Sequence, residues 1–379
     1  MVAAWKGVSF SVFAIAVIIV SDSMAQEPFR GDTVATRPRP DYDPAGVRMG
    51  SFLIYPKMAV DQTFNDNVFA TNDDERSDFI TSLQPEVTLA SDWNNHAFNL
   101  GAGADLGFYS SETGENYQDW NVASDGRIDI TRADKLFLGA GYAHLHEERG
   151  DPDDLGAISD PVEYELGTAF LRYARTAGRI SLTPEVIFRR YDYQDTDARG
   201  PGSFKVNQDD RDRNVYDTGV RVGYEIAPGY EPFVRVGGNV RDYDRTPDDT
   251  GLNRDSYGYD ATAGLSIDFG GVTFGDVFAG YRKQVYDDDA DLNNIDGPTV
   301  GLSLDWNATN LTSINAKVTR IIEETTEPGS SGYFATSGVV TVDHELLRNL
   351  ILSATGGITN RDYEGIDRDD YVFLAGAGA

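Results

Sequence analysis

The 379-residue chain is 40% apolar and carries 62 acidic against 32 basic side chains, a formal charge of -30. Its mean hydropathy is negative and no apolar run is long enough for a spanning helix, which excludes a helical membrane protein. The acidity argues against nucleic acid, since phosphates are repelled and no Lys/Arg stripe with interleaved aromatics answers them. Zero cysteines exclude a disulfide framework and thiolate chemistry, so stability must come from burial and backbone hydrogen bonding.

The apolar stretch Val8 to Val20 follows Lys6 and leads into Ser23-Met24-Ala25. It is too short to span and reads as a secretory signal cut between Ala25 and Gln26. Gln26 to Arg48 is rich in Pro, Arg and Asp, and Arg37-Pro38-Arg39-Pro40 favours an extended, unpaired backbone. This segment is a periplasmic lead-in or a small plug folded up into the rest of the chain. The predicted organisation is a signal over 1–25, the lead-in over 26–50 and a transmembrane barrel over 51–379.

From Ser51 onward the residues alternate with period two in segments of roughly ten residues or more, the length a tilted strand needs to cross hydrocarbon. In Arg179 to Tyr191, Ile180, Leu182, Pro184, Val186 and Phe188 oppose Arg179, Ser181, Thr183, Glu185, Arg189 and Tyr191. In Tyr216 to Ile226, Thr218, Val220, Val222, Tyr224 and Ile226 oppose Asp217, Gly219, Arg221, Gly223 and Glu225. Tyr257 to Phe269 repeats the pattern, with Tyr257, Tyr259, Ala261, Ala263, Leu265, Ile267 and Phe269 against Asp260, Thr262, Gly264, Ser266 and Asp268. Soluble antiparallel sheets alternate too, so connection lengths decide. Short turns near Asn94, Ala133, Gly178, Gly229, Gly270, Ala308 and Arg348 alternate with long acidic loops such as Asp151 to Pro161, Asp195 to Arg211 and Asp287 to Gly297. All short turns then lie at one end and all long loops at the other, the layout of an outer-membrane β-barrel.

The predicted fold is all-β, a transmembrane antiparallel up-and-down barrel with about sixteen visible strands. The last segment, Tyr371 to Ala379, is shorter than its sisters and lacks a closing partner. The chain is therefore expected to be a fragment of a barrel of about eighteen strands. Pro56, Pro85, Pro184 and Pro232 fall inside proposed strands, where a missing N–H breaks the ladder; Pro85 is the hardest to place.

The polar faces are expected to line the lumen, because a midplane arginine turned to lipid costs roughly 2 to 4 kcal/mol. The pore-lining candidates are Glu185, Arg189, Asp217, Arg221, Arg235, Arg241, Asp260, Asp276, Arg282 and Lys317, with Glu86, Asp105, Asp125, Arg127 and Arg361 in the wider set. Read blandly, these residues pair across strands and hold the wall together; read collectively, they make a charged, solvated pore. No catalytic residue and no cofactor is expected. Of the 4 histidines, His144 and His146 share a strand face by spacing, yet no third metal ligand stands out, and rim histidines are the plainer reading. Asp287-Asp288-Asp289-Ala290-Asp291 spaces acids as a calcium loop does, but Leu292 and Pro298 occupy the places of the turn glycine and the bidentate glutamate.

Arg37-Pro38-Arg39-Pro40-Asp41-Tyr42-Asp43-Pro44-Ala45-Gly46-Val47-Arg48-Met49-Gly50-Ser51-Phe52, followed by Phe64-Asn65-Asp66-Asn67-Val68-Phe69, resembles the entry of the type 2 outer-membrane β-barrel porins of Gram-negative bacteria. The resemblance runs from about Arg37 to the end. It implies an outer-membrane, non-enzymatic protein associated with exopolysaccharide or capsule production. The expected partners are outer-membrane lipid, lipopolysaccharide and polysaccharide export machinery. Three functions stay open at this point, in this order: a hydrophilic conduit, a structural or adhesive barrel acting through its acidic loops, and a barrel-embedded enzyme, which the sparse histidines disfavour.

Overall fold

The structure is a computed structural model that describes residues 31–71, 73–153, 158, 160–198, 204–288 and 291–379; the signal and its cleavage site lie outside them. Sixteen long strands succeed one another: β1 (Phe52–Asn65), β2 (Asp78–Ser91), β3 (Ala97–Tyr109), β4 (Tyr117–Asp129), β5 (Asp134–His146), β6 (Glu163–Ala177), β7 (Ile180–Tyr193) and β8 (Arg213–Tyr224), then β9 (Tyr230–Tyr243), β10 (Ser256–Asp268), β11 (Thr273–Tyr286), β12 (Ile295–Thr309), β13 (Thr312–Glu323), β14 (Gly332–Leu347), β15 (Leu350–Glu364) and β16 (Asp369–Gly378). Each pairs antiparallel with the next from β1 to β16. Among the described residues no register joins β16 to β1; the short strand Val47–Met49 instead lies on the start of β1.

Register fixes which side chains share a face, because a period of two leaves no intermediate orientation. Val220 of β8 stands opposite Val236 of β9, which stands opposite Ala261 of β10; Val236 is 57% exposed, as a lipid-facing residue is when no lipid is counted. Aromatic pairs mark this outer face near both rims. Phe52 meets Trp93, and Tyr230 meets Phe269, at the short-turn end; Phe64 meets Phe79, and Phe188 meets Tyr216, toward the other. These are the interface girdles a barrel places at headgroup depth.

The prolines are accommodated by leaving the ladder open where the N–H is missing. Pro85 pairs with Met58 on one side, while the β2–β3 ladder skips from Leu83↔Leu106 to Glu86↔Gly103. Pro184 pairs with Val220, and the β6–β7 ladder skips from Arg172↔Glu185 to Arg175↔Leu182. Pro232 pairs with Leu265, and the β8–β9 ladder stops at Gly223↔Phe233. Many glycines serve the opposite face. Phe278 lies across Gly264 and Gly301, its partners on both neighbouring strands, and a Cβ at Gly301 would fall inside its ring.

Buried apolar groups collect at the long-loop end rather than at mid-height. One cluster holds Tyr286, Leu292, Ile295, Ile322 and Phe334; others hold Ala143, Leu145 and Leu166, and Ile158, Val162 and Tyr193. The lead-in does not stay extended as its prolines suggested. Arg37 N–H donates to Thr33 O and Asp43 N–H to Arg39 O, so Thr33 to Asp43 folds into two turns. Thr33 and Thr36 exchange hydrogen bonds across the first, which is the local competition of hydroxyls with extended backbone. Val34 N–H donates to Ser313 Oγ at 2.6 Å, Arg37 donates to Asn310 O, and Arg37 and Arg39 both pair with Glu345. The segment is thereby packed against the short-turn end.

Candidate functional site

The polar face carries charge on nearly every strand from β6 to β11. Arg172 pairs with Glu185, which also meets Arg235 at 3.2 Å; Arg235 meets Asp260 at 2.9 Å. Arg189 meets Asp217 at 2.7 Å, and Arg221 lies 3.4 Å from Glu231 and 3.7 Å from Asp276. Arg241 is paired with Glu324. Arg282 stands opposite Asp260 in register without an ion pair among the described residues, and Lys317, opposite Ser303, is exposed and likewise has none. All ten candidates fall on one face, and eight of them are joined in ion pairs.

That face is the inner one. Arg241 on β9 and Glu324 beyond β13 belong to strands four apart in the sheet, and such side chains meet only across an interior. Glu324 also accepts hydrogen bonds from Tyr243 Oη at 2.8 Å and Tyr286 Oη at 3.1 Å. The next residues continue across the mouth. Arg254 donates to Thr325 O, and both Thr325 Oγ1 and Thr326 N–H donate to Asp153 Oδ1, at 2.7 and 2.8 Å. Asp153 lies between β5 and β6, about half the circumference away, so the loop after β13 spans the long-loop end from wall to wall. Asp153 in turn lies 3.8 Å from Arg211, whose guanidinium forks onto Glu147 and stacks on Tyr193 at 3.9 Å. Arg368 holds Glu327 from a further loop at 2.8 Å. The mouth is therefore crossed by loops held through hydrogen bonds and ion pairs.

Two features depart from the sequence reading. His144 and His146 do not share a face: His144 stacks on Trp120, while His146 stacks on Tyr117 and bonds Asp119 at 2.9 Å. The β4–β5 ladder ends at Trp120↔His144, and beyond it the strand turns His146 inward. Neither is a solvated rim residue, since both are more than four-fifths covered. Among the described residues no cluster could hold a metal ion. The bridging residues Asp153, Arg211, Glu324 and Arg254 carry no signal in the sequence, because loop positions have no periodicity to read. Arg213 is within reach: carrying the Asp217, Arg221 spacing four residues further back finds it.

Several rim carboxyls are perturbed. Burial pushes the Asp212 carboxyl up to about 6, against the lowering effect of the Tyr193 amide N–H that it accepts; burial raises Asp210 as well. Burial would also raise Asp248, but Thr250, the Leu252 amide and Arg254 outweigh it and hold the carboxyl low. A carboxyl whose folded pKa is raised contributes stability below its unfolded value and loses it as pH rises through the folded one. Hydrogen-exchange protection of Asp209 to Arg213 is thus expected to fall between pH 3.8 and about 6. Asp212→Asn should flatten that fall; an unchanged pH profile in the variant would refute the assignment.

Residues 39–379 match the family described as "Putative beta-barrel porin 2". No curated protein matches the chain. Among solved structures, the siderophore receptor PiuA from Acinetobacter baumannii is similar at 11% identity and a TM-score of 0.41, over 83% of this chain and 58% of that one. The FrpB iron transporter from Neisseria meningitidis is similar at 8% identity and a TM-score of 0.42, over 78% of this chain and 57% of that one. The chain spans less than two thirds of the length of either.

Proposed function

The chain belongs to the beta-barrel porin 2 family of the outer membrane, and from that premise we propose that it forms a gated hydrophilic conduit. The observation that carries this is the inner face: a charged lumen crossed at one end by loops. Short turns face the periplasm in such barrels, which puts the crossing at the cell surface. Hydrogen-bonded loops are drawn from the low-stability end of a structure and open without disturbing the ladder. Export of exopolysaccharide or capsule is the cargo implied by the family resemblance, with polysaccharide export machinery as the partner on the periplasmic side, where Thr33 to Asp43 lies. Purified protein in planar bilayers is expected to show ion conductance with discrete openings. Absence of conductance in bilayers, and of swelling in liposomes, would overturn the conduit.

A second reading has one observation of its own. The apolar cluster of Tyr286, Ile295, Ile322 and Phe334 packs the mouth beneath the loops, as a permanently closed, adhesive barrel would have it. Its acidic loops would then do the work at the surface. Loop deletions that leave adhesion and envelope integrity intact would remove that reading.

A further inference from the structure

Two guanidiniums of the inner wall, Arg213 and Arg282, have no acid in ion-pair contact among the described residues. Arg213 stands between Tyr191 and Tyr243 in register and rests on their rings at 4.4 and 5.7 Å. It donates to the Arg211 carbonyl, and its Nε has no hydrogen-bond partner among the described residues. Arg282, three strands away, has no ion pair among the described residues; Asp260 and Asp217 lie in its field, but so do Arg235 and Arg241. Facing this wall, Glu323 lies in the field of Arg241, Arg213, Arg189 and Arg282 without forming an ion pair to any of them.

The neighbouring residue shows what such a wall accepts. Glu324 seats its carboxylate on the Arg241 guanidinium and the hydroxyls of Tyr243 and Tyr286, a charge-assisted set of donors converging on one anion. Its backbone is the same one that ties Thr325 and Thr326 to Asp153. A carboxylate arriving from solution would find Arg213 and Arg282 without an ion pair among the described residues and would compete with Glu324 for Arg241. Displacing Glu324 would loosen the bar across the mouth, because the two contacts lie on adjacent residues.

We propose that Arg213, Arg241 and Arg282 form a binding station for solutes that carry carboxylate groups, with Glu324 as its internal occupant. The proposal rests on the conduit reading for its place in transport, and it gives a strongly acidic protein a lumen that favours acidic cargo. Local guanidiniums set the potential inside a narrow site, while most of the acid of the chain lies in solvated loops.

The test is calorimetric titration of the full chain in detergent micelles with sodium glucuronate and, separately, glucose. Glucuronate is expected to bind and glucose to give no heat. The double variant Arg213→Ala with Arg282→Ala should weaken glucuronate about tenfold or more, as loss of charge-assisted pairs implies. Arg213→Lys with Arg282→Lys should retain most of the affinity, and Glu324→Gln should raise it by freeing Arg241. Should the alanine pair fail to fold, judged by migration in detergent gels with and without heating, the lysine pair and Glu324→Gln still decide. Equal heats from both sugars, or affinities untouched by Arg213, Arg282 and Glu324, would overturn the station. A barrel that binds glucuronate yet passes no current in bilayers would refute the conduit alone, and one that conducts without binding would refute the station alone.

Discussion

Val236→Arg is expected to destabilise the folded barrel by roughly 2 to 4 kcal/mol, the cost of a cation on the lipid face near the midplane. Val236 sits midway along β9, with Val220 and Ala261 beside it on the same face. Burial of its methyls in lipid is lost as well, at about 25 cal/mol per Å² of apolar surface. Asn239, further along the same strand, faces the other way by parity and stands opposite Asp217. Asn239→Arg should therefore cost far less, because the new guanidinium meets a carboxylate and water. Guanidinium unfolding of both variants in phospholipid vesicles reads the difference. Equal losses, or a larger loss for Asn239→Arg, would mean that the two faces have been exchanged and that the barrel is misread.

The second large effect is expected at the mouth, from Arg211→Ala. Arg211 and Glu147 are both nearly buried, at 6% and 13% side-chain exposure, and removing one partner of such a pair typically costs about 3 to 5 kcal/mol. Burial already holds the Glu147 carboxyl above its ordinary range, with Arg211 working to lower it. Without Arg211, Glu147 escapes part of the cost by taking up a proton, so the loss should be larger at pH 8 than at pH 5. The effect should be local, since Arg211 sits in a short turn at the rim and the strand ladders do not depend on it. Protease should cleave near Gln208 to Asp212 and near Glu147 in the variant and not in the parent. Conductance should rise as the contact to Asp153 is lost. Arg211→Lys should fall between, because an ammonium cannot reproduce the fork onto Glu147. Unchanged proteolysis and conductance in Arg211→Ala would show that the loops are held by other contacts.

How far the residues could be read differs between wall and mouth. Within strands, alternation has only two outcomes per residue, and the side assigned to Arg189, Asp217, Arg221, Arg235 and Asp260 followed directly. The same rule failed for His144 and His146: the register with β6 runs on to His146↔Glu163, but pairing with β4 stops at Trp120↔His144, and there the His146 side chain turns to Tyr117 and Asp119. Composition, not alternation, misled for Arg37 to Pro40, where threonine hydroxyls and the acidic Asp43 fold a proline-rich stretch that its prolines alone would leave extended. Pro85 looked like a defect in the sequence; the structure leaves two rungs of one ladder open and keeps the register on both sides.

Alternating hydrophobicity and alternating loop length by themselves determined the barrel, its two ends and the face of nearly every strand residue, because the choice between lipid and water is made residue by residue along the chain. Which charges meet was decided only by tertiary structure. Arg241 and the backbone of Ile322 are 81 residues apart, and Thr325 and Asp153 are 172 apart. Such pairs are set by curvature of the sheet and by where irregular loops fall across its opening, and neither leaves a periodic mark in sequence.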